Sequence, residues 1–244
     1  MKPILPPILF EDENILAFDK PSGLLVAPDR WEKERENLMD LIHQHLNPSF
    51  FNVHRLDAET SGVLLCAKTK PALDELSRQF ENQKVEKQYL ALVQGGLDDV
   101  EVRVQRSIGE DLRTPGKMRL SNQNGKPADT LFKEITRWRG YSLVEANPKT
   151  GRTHQIRVHL AFLSSPVLAD RLYGSAEGLM LSTIKRAYKP KEKQLERPLI
   201  GRLALHAQRL TFAHPVSGTQ ISIESPLPHD FEVAIKYLKR FAGM

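Results

Sequence analysis

Short apolar runs that fit strands alternate along this chain with a few segments of helical spacing. The strand-like runs are residues 15–18, 63–67, 85–93, 131–138, 141–146, 203–212 and 221–223. Apolar residues recur at helical spacing within residues 38–46, 71–82, 156–163 and 231–241. Frequent hairpin-like strands interrupted by few helices predict an α+β fold with a mixed, largely antiparallel sheet and flanking helices.

Turn and cap signals refine this prediction. Arg139-Gly140 joins two strand-like runs, which predicts an antiparallel hairpin. Thr153 follows a loop and precedes a periodic apolar stripe, so we predict that it is the N-cap of a helix. Residues 98–128 are polar, basic and rich in turn formers, and residues 183–198 look like an exposed basic excursion.

Composition limits the class of protein. The 244 residues are 40% apolar, enough for a substantial buried core. Lys and Arg outnumber Asp and Glu by 35 to 30, and the resulting charge of +5 fits a polyanionic partner such as RNA. With Cys66 as its single cysteine, the chain has no intramolecular disulfide and no Cys-rich zinc site. No apolar run reaches membrane length, so we expect a cytoplasmic protein.

The stretch HRLDAETSG, from His54 to Gly62, places Arg55 and Asp57 on a loop before a buried strand. A carboxylate beside a guanidinium suits a site for a polar, anionic substrate. The same pair also fits an ordinary surface ion pair in a turn. The local pattern leaves both interpretations open.

This stretch resembles the catalytic motif of the RluA-type pseudouridine synthases, and four further blocks resemble that family in the same order. The blocks are ILAFDKPSGLLVAP (15–28), KQYLA (87–91), GRTHQIRVHL (151–160) and LALHA (203–207) followed by His214-Pro215. The resemblance implies one pseudouridine synthase catalytic domain over residues 1–244, with a central catalytic cleft. It implies no separate N-terminal RNA-binding module, because the motifs begin almost at once.

The resemblance also implies roles for individual residues. Asp57 matches the essential carboxylate, Tyr89 the residue that stacks on the flipped uracil, and Arg157 the arginine that pairs with the aspartate. On local pattern alone, Tyr89 is a core residue and Arg157 a solvated helix charge. The positions expected to bind RNA are His54, Arg55, Arg152 and His154.

Pseudouridine formation gains and loses no atom, so the implied activity, an RNA uridine isomerase, requires no redox cofactor. We expect no metal either, since His154 and His159 are five residues apart and not the four that aligns ligands on a helix. The expected partner is rRNA or tRNA, with no membrane, and the expected state is a monomer.

Two other function classes remain to be tested against this one. A glycoside-hydrolase-like enzyme would use Asp57 together with a second carboxylic acid, and nothing marks the neighbouring Glu59 as that acid. A non-catalytic RNA-binding protein gains nothing from a carboxylate facing phosphates. The basic residues of segments 103–128 and 185–197 are candidates for discriminating between RNAs, and each segment also fits ordinary solvated surface charge. If the second segment binds phosphates, we expect contacts from Lys189, Lys191 and Lys193.

Overall fold

A computed structural model describes residues 5–28, 34–188 and 195–243. Lys189, Lys191 and Lys193 lie outside the described residues. The chain forms two compact units. The first unit comprises residues up to Gln88 together with His206–Pro226, and the second comprises Tyr89–Leu205 and Leu227 onward.

Twelve strands and five helices lie within the described ranges. The strands are β1 (Ile8–Glu11), β2 (Ile15–Lys20), β3 (Phe51–Asn52), β4 (Ser61–Ala67), β5 (Glu86–Gln94), β6 (Glu101–Gln105), β7 (Ile108–Glu110), β8 (Met118–Leu120), β9 (Asp129–Trp138), β10 (Tyr141–Pro148), β11 (Leu205–Ala213) and β12 (Gln220–Glu224). The helices are α1 (Leu38–His45), α2 (Lys70–Glu81), α3 (Gln155–Phe162), α4 (Leu181–Ile184) and α5 (His229–Phe241).

The first unit is organised around β4, which is buried along its whole length. The strand order is β1-β2-β4-β11, with β3 beside β4 and β12 beside β11. Every pairing in this unit is antiparallel except that of β4 with β11, which is parallel. Because β4 is apolar on both faces, it needs cover on both, and the buried face of α2 supplies part of the core through Ala72 and Leu76.

The second unit contains the antiparallel strand order β5-β10-β9-β6 and a separate β7–β8 hairpin. The predicted hairpin at Arg139-Gly140 is confirmed, and Gly140 takes the positive φ of 80° that the tight turn requires. Ile156 and Leu160 of α3 and Phe231 and Leu238 of α5 share one apolar core. The α+β class with its mostly antiparallel sheet is therefore confirmed, while the catalytic cleft remains a prediction.

The start of α3 differs from the prediction. The N-cap residue is His154, in the left-handed conformation with φ of 55°, and its side chain makes no capping bond. Instead, the Gln155 side-chain oxygen accepts from the Arg152 backbone N–H at 2.9 Å and from the Thr150 hydroxyl at 2.7 Å. The prediction that Thr153 is the N-cap is wrong, because His154 takes the left-handed conformation directly before α3 and the Gln155 side chain binds back to the preceding loop.

Residues 98–128 contain more regular structure than their turn-rich composition predicts. The strands β6, β7 and β8 all lie there, and β6 is an edge strand in which exposed side chains alternate with partly or fully buried ones.

No helix in the described ranges combines the length and the apolar character needed to cross a membrane.

Candidate active site

The loop that carries Asp57 is held by a buried lysine. Lys20, at the end of β2, has no solvent-exposed surface. Its ammonium donates to the backbone oxygens of Pro21 at 2.9 Å, Leu24 at 2.8 Å and Ala58 at 2.9 Å. A buried charge is tolerated only where several acceptors solvate it, and here one of the acceptors is the carbonyl directly after Asp57.

The turn that follows Lys20 reinforces this attachment. The Ser22 hydroxyl donates to the Glu59 backbone oxygen at 2.7 Å, and the Gly23 backbone N–H donates to the Ala58 oxygen at 2.8 Å. The Lys-Pro-Ser-Gly turn therefore binds both residues after Asp57. Two blocks that are 37 residues apart in the sequence form one structure around the half-buried Asp57.

A polar cluster fixes the other end of the loop. The Thr60 backbone N–H donates to the Asp57 backbone oxygen at 3.1 Å, which closes a turn. The buried Ser61 hydroxyl lies 3.0 Å from Nδ1 of His206, and Nε2 of that histidine lies 3.3 Å from the Ser225 oxygen. Because these groups satisfy one another inside the first unit, the start of β4 has a unique position.

Gly62 permits the parallel pairing of β4 with β11. Its φ is +113°, and it lies opposite Ala207 in the register. A side-chain Cβ at this position would collide with the Ala207 carbonyl oxygen and would lie 2.7 Å from the carbonyl carbon. Only glycine allows the backbone at this end of the Asp57 loop to approach β11 this closely.

His54 and Arg55, two residues expected to bind RNA, differ in their surroundings. The His54 ring stacks on Phe80 with a centroid distance of 5.0 Å, and its Nε2 accepts from the Leu65 backbone N–H at 3.1 Å. Burial, together with the positive charge of Lys87, lowers the pKa of His54 to about 4. His54 is therefore neutral near pH 7, with its proton on Nδ1. Arg55 is exposed.

Tyr89, Arg152 and His154 all belong to the second unit. Tyr89 lies in β5 opposite Ala146 of β10 and is half-buried against the core. Arg152 donates from Nε to the Pro127 oxygen at 3.0 Å. His154 lies immediately before α3, with Nδ1 2.9 Å from the Tyr173 hydroxyl.

Arg157 is 5% exposed, which excludes the solvated helix charge that its local pattern suggests. It donates from Nε to Oδ2 of Asp170 and from Nη2 to Oδ1, both at 2.8 Å. The sequence reasoning did not identify Asp170, because a single aspartate in a loop carries no signal of a buried partner.

The predicted site residues are thus found in two groups. One group, on a loop of the first unit, comprises His54, Arg55 and Asp57. The other, in the second unit, comprises Tyr89 of β5 and the three residues around the start of α3, which are Arg152, His154 and Arg157. The meeting of Asp57, Tyr89 and Arg157 in one site remains a prediction. Across the described ranges, no group of three or more His, Cys, Asp or Glu side chains is arranged to hold a metal ion.

Comparisons with known proteins agree with these motifs. A family model described as RNA pseudouridylate synthase matches residues 14–162. The chain is 37% identical over 221 residues to the dual-specificity RNA pseudouridine synthase RluA of Escherichia coli K12, covering 90% of this chain and 92% of that protein.

A second relative and a solved structure extend the comparison. Ribosomal large subunit pseudouridine synthase D of Neisseria meningitidis is 36% identical over all of this chain, which spans only 64% of that protein's length. The structure of human RNA pseudouridylate synthase domain containing 4 shares the fold, with a TM-score of 0.71 at 24% identity, covering 95% of this chain and 92% of the human one. The matched motifs, the family model and these relatives together establish that the chain belongs to the RNA pseudouridylate synthase family and is of the RluA type.

Proposed function

We propose that this chain is an RNA pseudouridine synthase that isomerises specific uridines in rRNA or tRNA, with Asp57 as the essential carboxylate. The observation that carries the proposal is the way the Asp57 loop is built. Lys20 and Ser22 bind the backbone oxygens of the two residues that follow Asp57, and Thr60 closes the turn. Such preorganisation is what a reactive carboxylate needs, because misplacement costs rate.

The reaction exchanges one glycosidic bond for another. The bond between ribose C1′ and uracil N1 breaks, and a bond between C1′ and uracil C5 forms. A proton leaves C5, and N1 acquires one, so the balance requires no oxidant or reductant. The ionised Asp57 can attack the sugar, attack the base or remove a ribose proton, and all three routes use the same charged carboxylate.

Access to the uridine requires base flipping. A stacked uridine is out of reach of a carboxylate, and extracting it costs roughly a few kcal/mol. Arg55 is exposed on the loop beside Asp57, where a planar cation can stack on the neighbouring bases or bind a phosphate. Tyr89 stacks on the flipped uracil, a contact worth about 1 to 3 kcal/mol.

The remaining roles complete the proposal. Arg157 takes the role of the arginine that pairs with the essential aspartate. His54, Arg152 and His154 belong to the RNA-binding surface, and the protein acts as a monomer in the cytoplasm without a redox cofactor. The relatives' names, which include a ribosomal large subunit enzyme and a dual-specificity RNA enzyme, support RNA as the substrate.

Incubation of the purified chain with rRNA and tRNA transcripts, followed by carbodiimide mapping of pseudouridine, tests this function. We expect alkali-resistant carbodiimide adducts at discrete uridines, absent from RNA incubated without protein. RNA binding without modification would instead favour the non-catalytic binder. Release of free base or cleaved sugar would favour the glycoside-hydrolase-like enzyme.

A further inference from the structure

Asp170 is a fully buried carboxylate that is saturated with hydrogen bonds. It has no exposed surface, and four N–H groups donate to its side chain. Two of them come from Arg157 at 2.8 Å, and the others are the backbone N–H groups of Leu172 at 3.0 Å and Tyr173 at 3.3 Å. The ion pair is bidentate, which fixes direction as well as distance.

The backbone of Asp170 is fixed as firmly as its carboxylate. Ala169 takes the left-handed φ of 57°, and the Gly174 N–H donates to the Asp170 backbone oxygen at 2.9 Å. The carboxylate therefore emerges from a closed turn and meets α3 at Arg157. Because hydrogen bonds hold both the backbone and the side chain of Asp170, its carboxylate is a rigid support for the Arg157 guanidinium.

Tyr173, from the same turn, restrains the face of the guanidinium. Its ring centroid lies 5.1 Å from the Arg157 guanidinium carbon. Its hydroxyl accepts from the Met118 backbone N–H at 2.7 Å and lies 2.9 Å from Nδ1 of His154. Asp170 thus holds one edge of the guanidinium plane while a tethered aromatic ring lies against it.

We propose that Asp170 is a positioning residue for RNA isomerisation and acts through Arg157. Its carboxylate uses two of the five guanidinium N–H groups, and this fixes the direction in which the group presents its charge to a second acceptor. Burial of two charges contributes little net stability, so orientation is the better account of the pair. The inference rests on the proposed function, in which that second acceptor is Asp57.

Asp170→Asn tests the inference in single-turnover reactions with excess protein and one modifiable RNA. The matched control is Asp230→Asn, because Arg202 and Asp230 form a bidentate pair in the same unit with both distances also 2.8 Å. We expect Asp170→Asn to lower the plateau rate constant, the one reached at saturating protein, about 100-fold. The protein concentration at which the rate constant is half of its plateau value should change little. Asp230→Asn keeps the parental plateau rate.

Comparing the plateau rate constant with the protein concentration needed to reach half of it separates a positioning role of Asp170 from a role in folding. A merely structural role lowers the folded fraction, so it raises the protein concentration needed without changing the plateau rate. Asp170→Glu restores the charge at a longer reach, and we expect a plateau rate between those of the parent and Asp170→Asn. If Asp170→Asn does not fold, Asp170→Glu decides, and its plateau rate falls below the parental rate.

A parental plateau rate in Asp170→Asn, or in Asp170→Glu where the first variant does not fold, overturns the positioning role alone. A parent protein that forms no pseudouridine in any rRNA or tRNA overturns the proposed function and, with it, this inference.

Discussion

His54 shows how burial changes the meaning of a single residue. The family resemblance assigns it to RNA binding, yet its ring stacks on Phe80 and accepts a hydrogen bond from the Leu65 backbone. A protonated imidazole would lose that acceptor and would carry a charge close to Lys87. The neutral ring therefore also stabilises the loop that carries Asp57, in addition to the RNA contact proposed for it.

The pH dependence of folding tests this state of His54. Its pKa is about 4 in the folded protein and near the ordinary 6.5 when unfolded, so the unfolded chain binds more protons between these values. Stability then falls as the pH falls from 6.5 toward 4. Urea unfolding measures the free energy of unfolding at each pH. Between pH 7.5 and pH 4, this free energy should fall by about 3 kcal/mol less in His54→Gln than in the parent.

The control for this experiment is His43→Gln, at an exposed histidine. It should follow the parent across the whole range. The parent retains some acid sensitivity in either case, because burial also lowers the pKa of His159. Equal losses in His54→Gln and the parent would show that His54 does not carry the effect.

At the scale of single residues, motif and spacing identified Asp57 but not the groups that support it. Lys20 was visible as part of a turn signal, but its three carbonyl acceptors depend on how a distant loop packs. Asp170 lies 13 residues after Arg157, and the pair forms because a loop turns back onto the buried face of α3. Such partnerships are properties of tertiary packing and have no local sequence signature.

At the scale of elements, Gly62 determines how close β4 and β11 approach. Gly62→Ala adds a left-handed strain and a collision with the backbone of Ala207, so one strand must move. Gly140 is the matched control, because it has a positive φ of 80° but open space around its absent side chain. The comparison separates the cost of the collision from the cost of the dihedral angle.

We expect Gly140→Ala to destabilise the protein by about 1 to 2 kcal/mol, the cost of the left-handed conformation. Gly62→Ala should cost more than about 3 kcal/mol, because the collision adds to that strain. Chemical denaturation of both variants measures the difference. Equal costs would show that β4 and β11 separate easily and that the glycine is not needed for their pairing.

Element types were predictable where the apolar period was strong and less so where it was weak. The β9–β10 hairpin and helices α1, α2 and α5 follow directly from their patterns. The short strands β7 and β8 did not, because their three residues each are too few to show a period. The N-cap of α3 was misassigned because a left-handed histidine is not a recognised start signal.

At the scale of the whole molecule, the charge of +5 fits a polyanionic partner, and the β7–β8 hairpin region, residues 108–126, exposes basic side chains that include Arg113 and Arg119. Ile108 at the start of β7 packs with Val158 of α3, so this hairpin is attached to the helix that carries Arg157. The second basic segment falls partly outside the described residues. The division of the chain into two units was not predictable, because β5 and β11 cross the boundary between them.

Salt dependence of RNA binding tests the hairpin region. The test variant replaces the exposed Arg113, Arg119 and Lys126 by glutamine. We expect it to bind RNA more weakly and to reduce the slope of log affinity against log salt by about 2, because each lost phosphate contact lowers the slope by about 0.7 to 0.9. A control variant removes the same charge from α5 at Lys236, Lys239 and Arg240, which are also exposed. An equal slope change in both variants would indicate general attraction and contradict a contact surface in the hairpin.

The proposed role of Asp57 depends on a loop that Lys20, Ser22 and Thr60 hold in place. Its most direct test is the rate of pseudouridine formation by purified Asp57→Asn and Glu59→Gln on an RNA that the parent modifies. We predict that Asp57→Asn keeps the parental fold and RNA affinity but loses at least about a thousandfold in rate, whereas the adjacent Glu59→Gln stays active. Pseudouridine formed by Asp57→Asn at a rate near the parent's would show that Asp57 is not the essential carboxylate.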